Sequence, residues 1–121
     1  LMRLDLYTGD GVVIKSGAAP SYLKSQNGLK RLCARTIPMG IFNIADTEEI
    51  KFNVKEGDVI IMASDGVAED DSDSRPIEKY LDSHRSALPR EMASDIIEMS
   101  RKSGKTDDLS VIAIKIFPQN Y

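Results

Sequence analysis

Cysteine, histidine and tryptophan are almost absent from this chain. Its 121 residues include one cysteine, one histidine and no tryptophan. A lone Cys33 excludes an internal disulfide and a cysteine-based zinc cluster, so we expect a reducing compartment on the cytoplasmic side. We expect Cys33 to be a packing residue and His84, which lies among Ser and Arg on a predicted helix, to be an ordinary surface residue.

Long runs of one residue type are also missing. No apolar stretch approaches the roughly 18 residues of a membrane-spanning helix, and no signal peptide is recognisable. The 16 Lys and Arg against 19 Asp and Glu leave a net charge of −3 and form no basic cluster. We therefore expect no nucleic-acid partner, and a protein partner instead. The chain enters a strand-like pattern at Leu1, which suggests that residues 1–121 are a portion of a longer protein.

The apolar pattern that is present predicts an α+β fold. Two-residue alternation predicts three antiparallel hairpins, and apolar residues at helical spacing predict two helices that begin near Pro76 and Pro89. The hairpins are placed at residues 2–16, at 21–35 with a turn at Asn27-Gly28, and at 50–63 with a turn at Glu56-Gly57-Asp58. A last buried strand covers Leu109 to Phe117. We expect antiparallel sheets with helices packed on one side.

Carboxylates stand at the ends of the two most apolar strands. Val59 to Ala63 reads as a strand buried on both faces that ends in Ser64-Asp65-Gly66, and Asp107-Asp108 precede the last strand. The plain alternative is that Ser-Asp-Gly is a common turn. If the two strands are antiparallel neighbours, Asp65 and Asp107 meet. Two carboxylates about 5 Å apart repel by roughly 3 kcal/mol at an effective dielectric constant of 20, and a cation between them reverses that sign.

Oxygen ligands without cysteine favour a hard ion such as Mg²⁺ or Mn²⁺ over zinc. Such ions most often act on phosphoryl groups. A second acidic stretch, residues 69–74, lacks the alternate spacing and central glycine of a calcium loop and is expected to be a solvated loop.

Four segments together resemble a known family. Met62-Ala63-Ser64-Asp65-Gly66-Val67 and Thr106-Asp107-Asp108-Leu109-Ser110-Val111 are similar to the last two motifs of the metal-dependent serine/threonine phosphatases of the PPM (PP2C) type. Upstream, Gly17-Ala18-Ala19-Pro20-Ser21-Tyr22 and Pro38-Met39-Gly40-Ile41 resemble segments of the bacterial branch related to stage II sporulation protein E. Many relatives carry a histidine where this chain has Ala18. The implied fold is part of an αββα sandwich.

The resemblance implies roles for individual residues. Asp65 would be a metal ligand that bridges a dinuclear Mn²⁺ or Mg²⁺ centre, and Asp107 would be a ligand to one ion. Gly66 would let the backbone run close to the metal site, and Asp108 would be a neighbour. The implied reaction is attack of metal-activated water on phosphoserine or phosphothreonine. The implied substrate is a phosphorylated anti-sigma factor antagonist.

One departure from the family opens an alternative. Relatives carry an upstream acidic metal-ligand motif that ends in Asp-Gly and is followed by a glycine-rich segment. No segment before Asp65 matches this motif. Asp10-Gly11 lies in a predicted hairpin turn and is not followed by a glycine-rich segment. The chain then reads as the C-terminal portion of the domain, inactive as a fragment. The alternative is a non-catalytic binding module with the same fold, and sheet edges left bare could cause self-association.

The apolar segment Pro38-Met39-Gly40-Ile41 is interrupted by Pro and Gly and is not expected to be a regular element. We expect it to pack against a neighbouring element. The rival hypothesis is a regulatory contact that couples partner binding to ordering of the metal site.

Overall fold

The computed structural model describes residues 1–68 and 74–118. The elements, in chain order, are β1 (Met2–Leu4), β2 (Asp10–Lys15), β3 (Ser21–Ser25), β4 (Gly28–Leu32), β5 (Glu48–Asn53), β6 (Val59–Ala63), α1 (Ser74–Ser83), α2 (Pro89–Lys102) and β7 (Val111–Lys115). The strands form two sheets, with orders β1-β2-β5 and β4-β3-β6-β7, in which every pair is antiparallel. The predicted α+β fold is confirmed.

The four-stranded sheet is the middle of three layers. One face packs against both helices, in a cluster that includes Tyr22, Ile61, Ile77, Met92 and Ile96. The opposite face packs against the three-stranded sheet, in a cluster that includes Val13, Leu23, Leu32, Phe52 and Ile60. The helices therefore lie on one side of the sheets, as predicted. Over the described residues, no helix is long and apolar enough to cross a membrane.

Strand β6 lies at the centre of the middle layer, between β3 and β7. Val59 and Ile61 belong to the cluster under the helices, whereas Ile60 belongs to the cluster between the sheets. All three side chains are buried. The continuous apolar run thus reflects burial on both faces, as the sequence predicted.

Two of the three predicted hairpins are confirmed, and the third is wrong. β1 pairs with β2, and β3 turns through Gln26-Asn27 into β4, one residue earlier than the predicted turn, because Gly28 already pairs with Ser25. However, β5 pairs with β2, whereas β6 pairs with β3 and β7. The Glu56-Gly57-Asp58 turn carries the chain from one sheet to the other. Gly57 N donates to Ile116 O (2.8 Å) and Ile116 N donates to Asp58 O (2.9 Å), so the turn is fixed to the end of β7 instead of closing a hairpin.

The prediction that Pro38-Met39-Gly40-Ile41 packs against a neighbouring element is wrong for its large side chains. Met39 is 66% exposed and Ile41 is 61% exposed. They belong to a loop, residues 37–46, that is closed at its base. Ile37 N donates to Asp46 Oδ2 (2.9 Å), and the Ser16 hydroxyl lies within hydrogen-bonding distance of the carbonyl oxygens of Ile37 and Asp46. Hydrogen bonds thus hold the ends while the apolar side chains project outward. Pro38 contacts the backbone of Gly17.

Of the predictions for Cys33 and His84, one is wrong and one is confirmed. Cys33 is exposed, so its assignment as a packing residue is wrong, because it follows the last residue of β4 at the end of the sheet. His84 is a surface residue, as predicted, with its ring stacked on Tyr80 at 4.3 Å between centroids. The acidic stretch, apart from the backbone of Ser74, lies outside the described residues.

Candidate functional site

The ends of β6 and β7 meet where the two aspartates were predicted to meet. The last ladder pair is Ala63 with Val111. Pairing continues one residue further, since Ser64 N donates to Ser110 O (2.9 Å) and Ser110 N donates to Ser64 Oγ (3.0 Å). The Ser64 hydroxyl also reaches the carbonyl oxygen of Asp108 (3.3 Å). The segments that carry Asp65 and Asp107 therefore leave the sheet side by side.

Gly66 is in direct contact with the opposite segment. A methyl group at this position would lie 2.8 Å from Asp108 O and 3.1 Å from Asp107 Cβ. A side chain there would push the two segments apart, so the glycine permits the close approach. On the other side, Gly66 N donates to Asp65 Oδ1 (3.0 Å) and orients that carboxylate.

Both carboxylates are open to solvent and to a cation. Asp65 and Asp107 are exposed. The ion pairs of the described part of the chain join Asp82 to Lys24 and Arg85, and Glu98 to Lys102. The Lys105 ammonium donates to Val67 O (3.0 Å). Neither Asp65 nor Asp107 is held by a lysine or arginine in these pairs.

Asp65 and Asp107 offer the type of ligand atom that a hard divalent ion prefers, but two aspartates are too few for a complete metal site. Carboxylate oxygens are the ligands that Mg²⁺ and Mn²⁺ prefer. Residues 1–68 and 74–118 contain no group of three or more His, Cys, Asp or Glu side chains that could hold a metal ion. Two aspartates supply part of such a centre, and a tight site needs further oxygen ligands from elsewhere.

A cleft of about 630 Å³ opens beside Asp65. One wall is Gly17 to Pro20, part of a segment that resembles the bacterial branch of the family. Lys15 holds this wall from the inside, because its buried ammonium donates to Ala19 O (2.6 Å) and Ser21 Oγ (2.7 Å). Burial lowers the pKa of Lys15, an effect that the nearby Cys33 partly opposes.

Sequence reasoning missed three charged residues of this cleft. Arg31, Arg35 and Glu48 line it together with Asp65, whereas Asp107 lies against Gly66 just outside its lining. The two-residue spacing of Arg31, Cys33 and Arg35 is a signal that they share one face of a strand and its extension. The order β4-β3-β6 was needed to bring that face to Asp65.

Comparison with known proteins identifies the family of this chain. A family model described as "Stage II sporulation protein E (SpoIIE)" matches residues 1–117. The chain belongs to the SpoIIE family.

Individual SpoIIE relatives and more distant phosphatase structures share the fold. The stage II sporulation protein E of Bacillus subtilis (strain 168) is 28% identical over 96% of this chain and 15% of its own length. The solved phosphatase domain of SpoIIE from Bacillus subtilis superposes with a TM-score of 0.80 at 26% identity, over 100% of this chain and 56% of that domain chain. The catalytic domain of the serine/threonine phosphatase PstP, solved with two manganese ions, superposes with a TM-score of 0.70 at 16% identity. The match covers 91% of this chain and 55% of the PstP chain.

This chain therefore corresponds to only part of the length of its relatives. The chain spans less than one fifth of the Bacillus subtilis protein and just over half of its solved phosphatase domain. The antiparallel sheets and two helices are those of the corresponding part of a PP2C phosphatase domain.

Proposed function

We propose that this chain supplies Asp65 and Asp107 to the metal centre of a PPM-type serine/threonine phosphatase. The substrate would be phosphoserine or phosphothreonine in a phosphorylated protein of the anti-sigma factor antagonist type. The observation that carries the proposal is the contact of Gly66 with Asp107, which brings two exposed carboxylates to one end of the middle sheet. Membership of the SpoIIE family and the named phosphatase domains among the similar structures support it.

Manganese or magnesium is the proposed cofactor. One similar SpoIIE domain was presoaked with Mn, and the PstP domain was solved with two manganese ions. A divalent ion held by Asp65 and Asp107 would supply Lewis-acid chemistry and water activation toward a phosphoryl group. Asp65 and Asp107 would hold it, Gly66 N would orient the Asp65 carboxylate, and Ser64 would hold the two segments together.

The isolated stretch 1–121 is proposed to have little activity. Two carboxylates leave most positions of an octahedral ion to water, so binding is weak until other acidic residues or a substrate phosphate contribute oxygens. The same shortage of ligands favours the second candidate function, a PP2C-like module that binds proteins without catalysis. We propose the cytoplasmic side as the location, in keeping with an exposed, unpaired Cys33.

The test uses the complete protein that contains residues 1–121, assayed for phosphate release from phosphoserine peptides with Mn²⁺. Asp65→Asn and Asp107→Asn should each lower the rate by about 100-fold or more and weaken Mn²⁺ binding, since a metal ligand is lost. Asp10→Asn is the matched control, because Asp10 is also an exposed aspartate that precedes a glycine but lies on β2 in the other sheet. Its rate should stay within about twofold of wild type.

An unchanged rate in Asp65→Asn would remove Asp65 from the centre. A wild-type protein that binds the peptides but releases no phosphate at any Mn²⁺ concentration would establish the binding module instead. Calorimetric titration with Mn²⁺ separates loss of metal from loss of fold, and circular dichroism of each variant reports the fold directly.

A further inference from the structure

The cleft beside Asp65 contains an exposed cation that the proposed metal centre does not use. Arg35 lines this cleft and is exposed, and it makes no hydrogen bond or ion pair with other residues in the described ranges 1–68 and 74–118. Arg31 lines the same cleft and is half-buried. A guanidinium group is shaped to bind a carboxylate or a phosphate through two parallel hydrogen bonds.

The sheet register places Arg35 and Asp65 at the same end of the middle sheet. Ser21 of β3 pairs with Leu32 on one side and with Met62 on the other. Because β4 and β6 are both antiparallel to β3, they run in the same direction. Arg35 and Asp65 each lie three residues beyond this paired level, outside the strands. Two strand spacings, continued to these positions, would put their backbones about 10 Å apart.

The surface between these two residues suits an extended peptide. It is formed by Gly17, Ala18, Ala19 and Pro20, whose small or compact side chains leave the cleft open. Lys15 fixes Ala19 and Ser21 from below. An extended chain advances about 3.3 Å per residue, so a span of about 10 Å corresponds to about three residues.

The charge of the cleft depends on the metal centre. Among the described residues, two arginines and two carboxylates line the cleft, namely Arg31, Arg35, Asp65 and Glu48. A divalent ion at Asp65 would add positive charge to this lining and favour an anionic ligand in the cleft. At about 10 Å from Arg35 this attraction is partly screened, because the Debye length at physiological salt is about 8 Å, so Arg35 itself supplies most of the attraction for the anion.

We infer that Arg35 is an anion subsite that selects the protein substrate. It binds an oxyanion about three residues from the phosphorylated residue, when the phosphoryl group lies at Asp65. The source of the oxyanion is an acidic side chain of the substrate. The inference rests on the proposed function for the position of the phosphorylated residue, and it makes Arg35 a determinant of specificity.

The test measures peptide binding without turnover. The complete protein with Mn²⁺ is titrated into labelled peptides that carry a non-hydrolysable phosphonate analogue of phosphoserine, and fluorescence anisotropy gives the affinity. One peptide has Glu three residues from the phosphonate and a second has Ala there. Two further peptides repeat this pair with unmodified serine. Arg35→Ala is compared with wild type and with Arg101→Ala, an exposed arginine on α2.

Arg35→Ala should weaken binding of the Glu peptide about 10-fold and of the Ala peptide less than twofold, since one charge-assisted pair is lost. Arg101→Ala should change neither. Charge reversal in Arg35→Glu should shift the preference to a peptide with Lys at that position. If Arg35→Ala weakens both phosphonate peptides equally and spares both serine peptides, Arg35 binds the phosphoryl group itself and the inference of a separate subsite is overturned.

Equal affinities of wild type and Arg35→Ala for all four peptides would overturn the inference. So would an equal loss for the unmodified Ala peptide, which carries no anion. Failure of the proposed function gives a different result, namely no phosphate release from any phosphopeptide by wild type. The affinities remain interpretable in that case, because they do not require hydrolysis.

Discussion

At the scale of residues, the contact between Gly66 and the Asp107-Asp108 segment controls the geometry of the candidate centre. The positions of Asp65 and Asp107 at the mouths of two strongly apolar strands predicted that these residues lie at the same end of the sheet, whereas their assignment as metal ligands came from the family resemblance and stays a prediction. Sequence position was not enough to find Arg35, whose place beside Asp65 depends on β3 lying between β4 and β6. Cys33 was misjudged for a different reason, since it lies just beyond the end of β4 and is exposed there.

Gly66→Ala tests this contact. The added methyl group would lie 2.8 Å from Asp108 O, closer than atoms of this kind approach without displacement. We expect the Asp107 segment to move by a few tenths of an ångström. Phosphate release with Mn²⁺ should fall by about 10-fold or more, since small misplacements of catalytic groups are costly. The free energy of unfolding should fall by about 1–3 kcal/mol.

Urea unfolding and Mn²⁺ titration separate the two effects in Gly66→Ala. A variant that unfolds at the same urea concentration as wild type and retains full activity would show that the segments tolerate a side chain here. Such a result would also weaken the case that Asp65 and Asp107 act together.

At the scale of elements, helix α1 is tied to the middle sheet by an ion pair. Lys24 on β3 lies 2.7 Å from Asp82 on α1, and the Lys24 side chain is only 13% exposed. The hydrogen bond from Lys24 holds the pKa of the Asp82 carboxyl below its usual value. A lowered pKa in the folded state adds stability above the unfolded pKa of about 3.9, and this stability is lost as the pH falls further.

Asp82→Asn should therefore lower the melting temperature at pH 7, and the difference from wild type should shrink as the pH falls from 4 toward 2. Glu98→Gln is the matched control, because its pair with Lys102 lies within α2 with both side chains largely exposed. Its effect on the melting temperature should be smaller than that of Asp82→Asn at pH 7. Melting curves by circular dichroism at pH 7, 4 and 2 provide the measurement. A difference that persists unchanged at pH 2 would contradict the linkage.

Element types were more predictable than their partners. The alternation of Ile50, Phe52 and Val54 specifies a strand with one buried face but does not specify which strand lies beside it. The short Glu56-Gly57-Asp58 turn suggested a hairpin, yet its backbone hydrogen bonds go to Ile116, at the end of β7. Loop 37–46 was misjudged because its apolar residues predicted burial, whereas the hydrogen bonds that hold the loop involve only its ends and its large side chains are exposed.

At the scale of the whole molecule, the described layers leave two sheets with open edges. β4 and β7 border the middle sheet, and β1 and β5 border the outer one. Ile112 on β7 is 58% exposed and Phe117, just beyond that strand, is 56% exposed. Unpaired strands with exposed apolar residues are templates for pairing with another chain.

We expect residues 1–121, expressed alone, to self-associate in a concentration-dependent way through the β7 edge. Ile112→Lys should shift the sample toward monomer, because a lysine on an edge strand disfavours pairing. Lys102→Ala, on the solvent side of α2, is the comparison variant and should leave the distribution unchanged. Sedimentation velocity over a 100-fold concentration range measures this. A wild-type chain that sediments as a monomer throughout would exclude edge pairing.

The closed base of loop 37–46 has a consequence for how this protein can diversify. Ser16 and Asp46 fasten both ends of the loop next to Gly17, which lines the cleft. We therefore expect the residues between them to tolerate changes of length and composition. The sheet and its two aspartates should keep their positions when this loop is replaced. New recognition properties can then be acquired without rebuilding the chemistry beneath them.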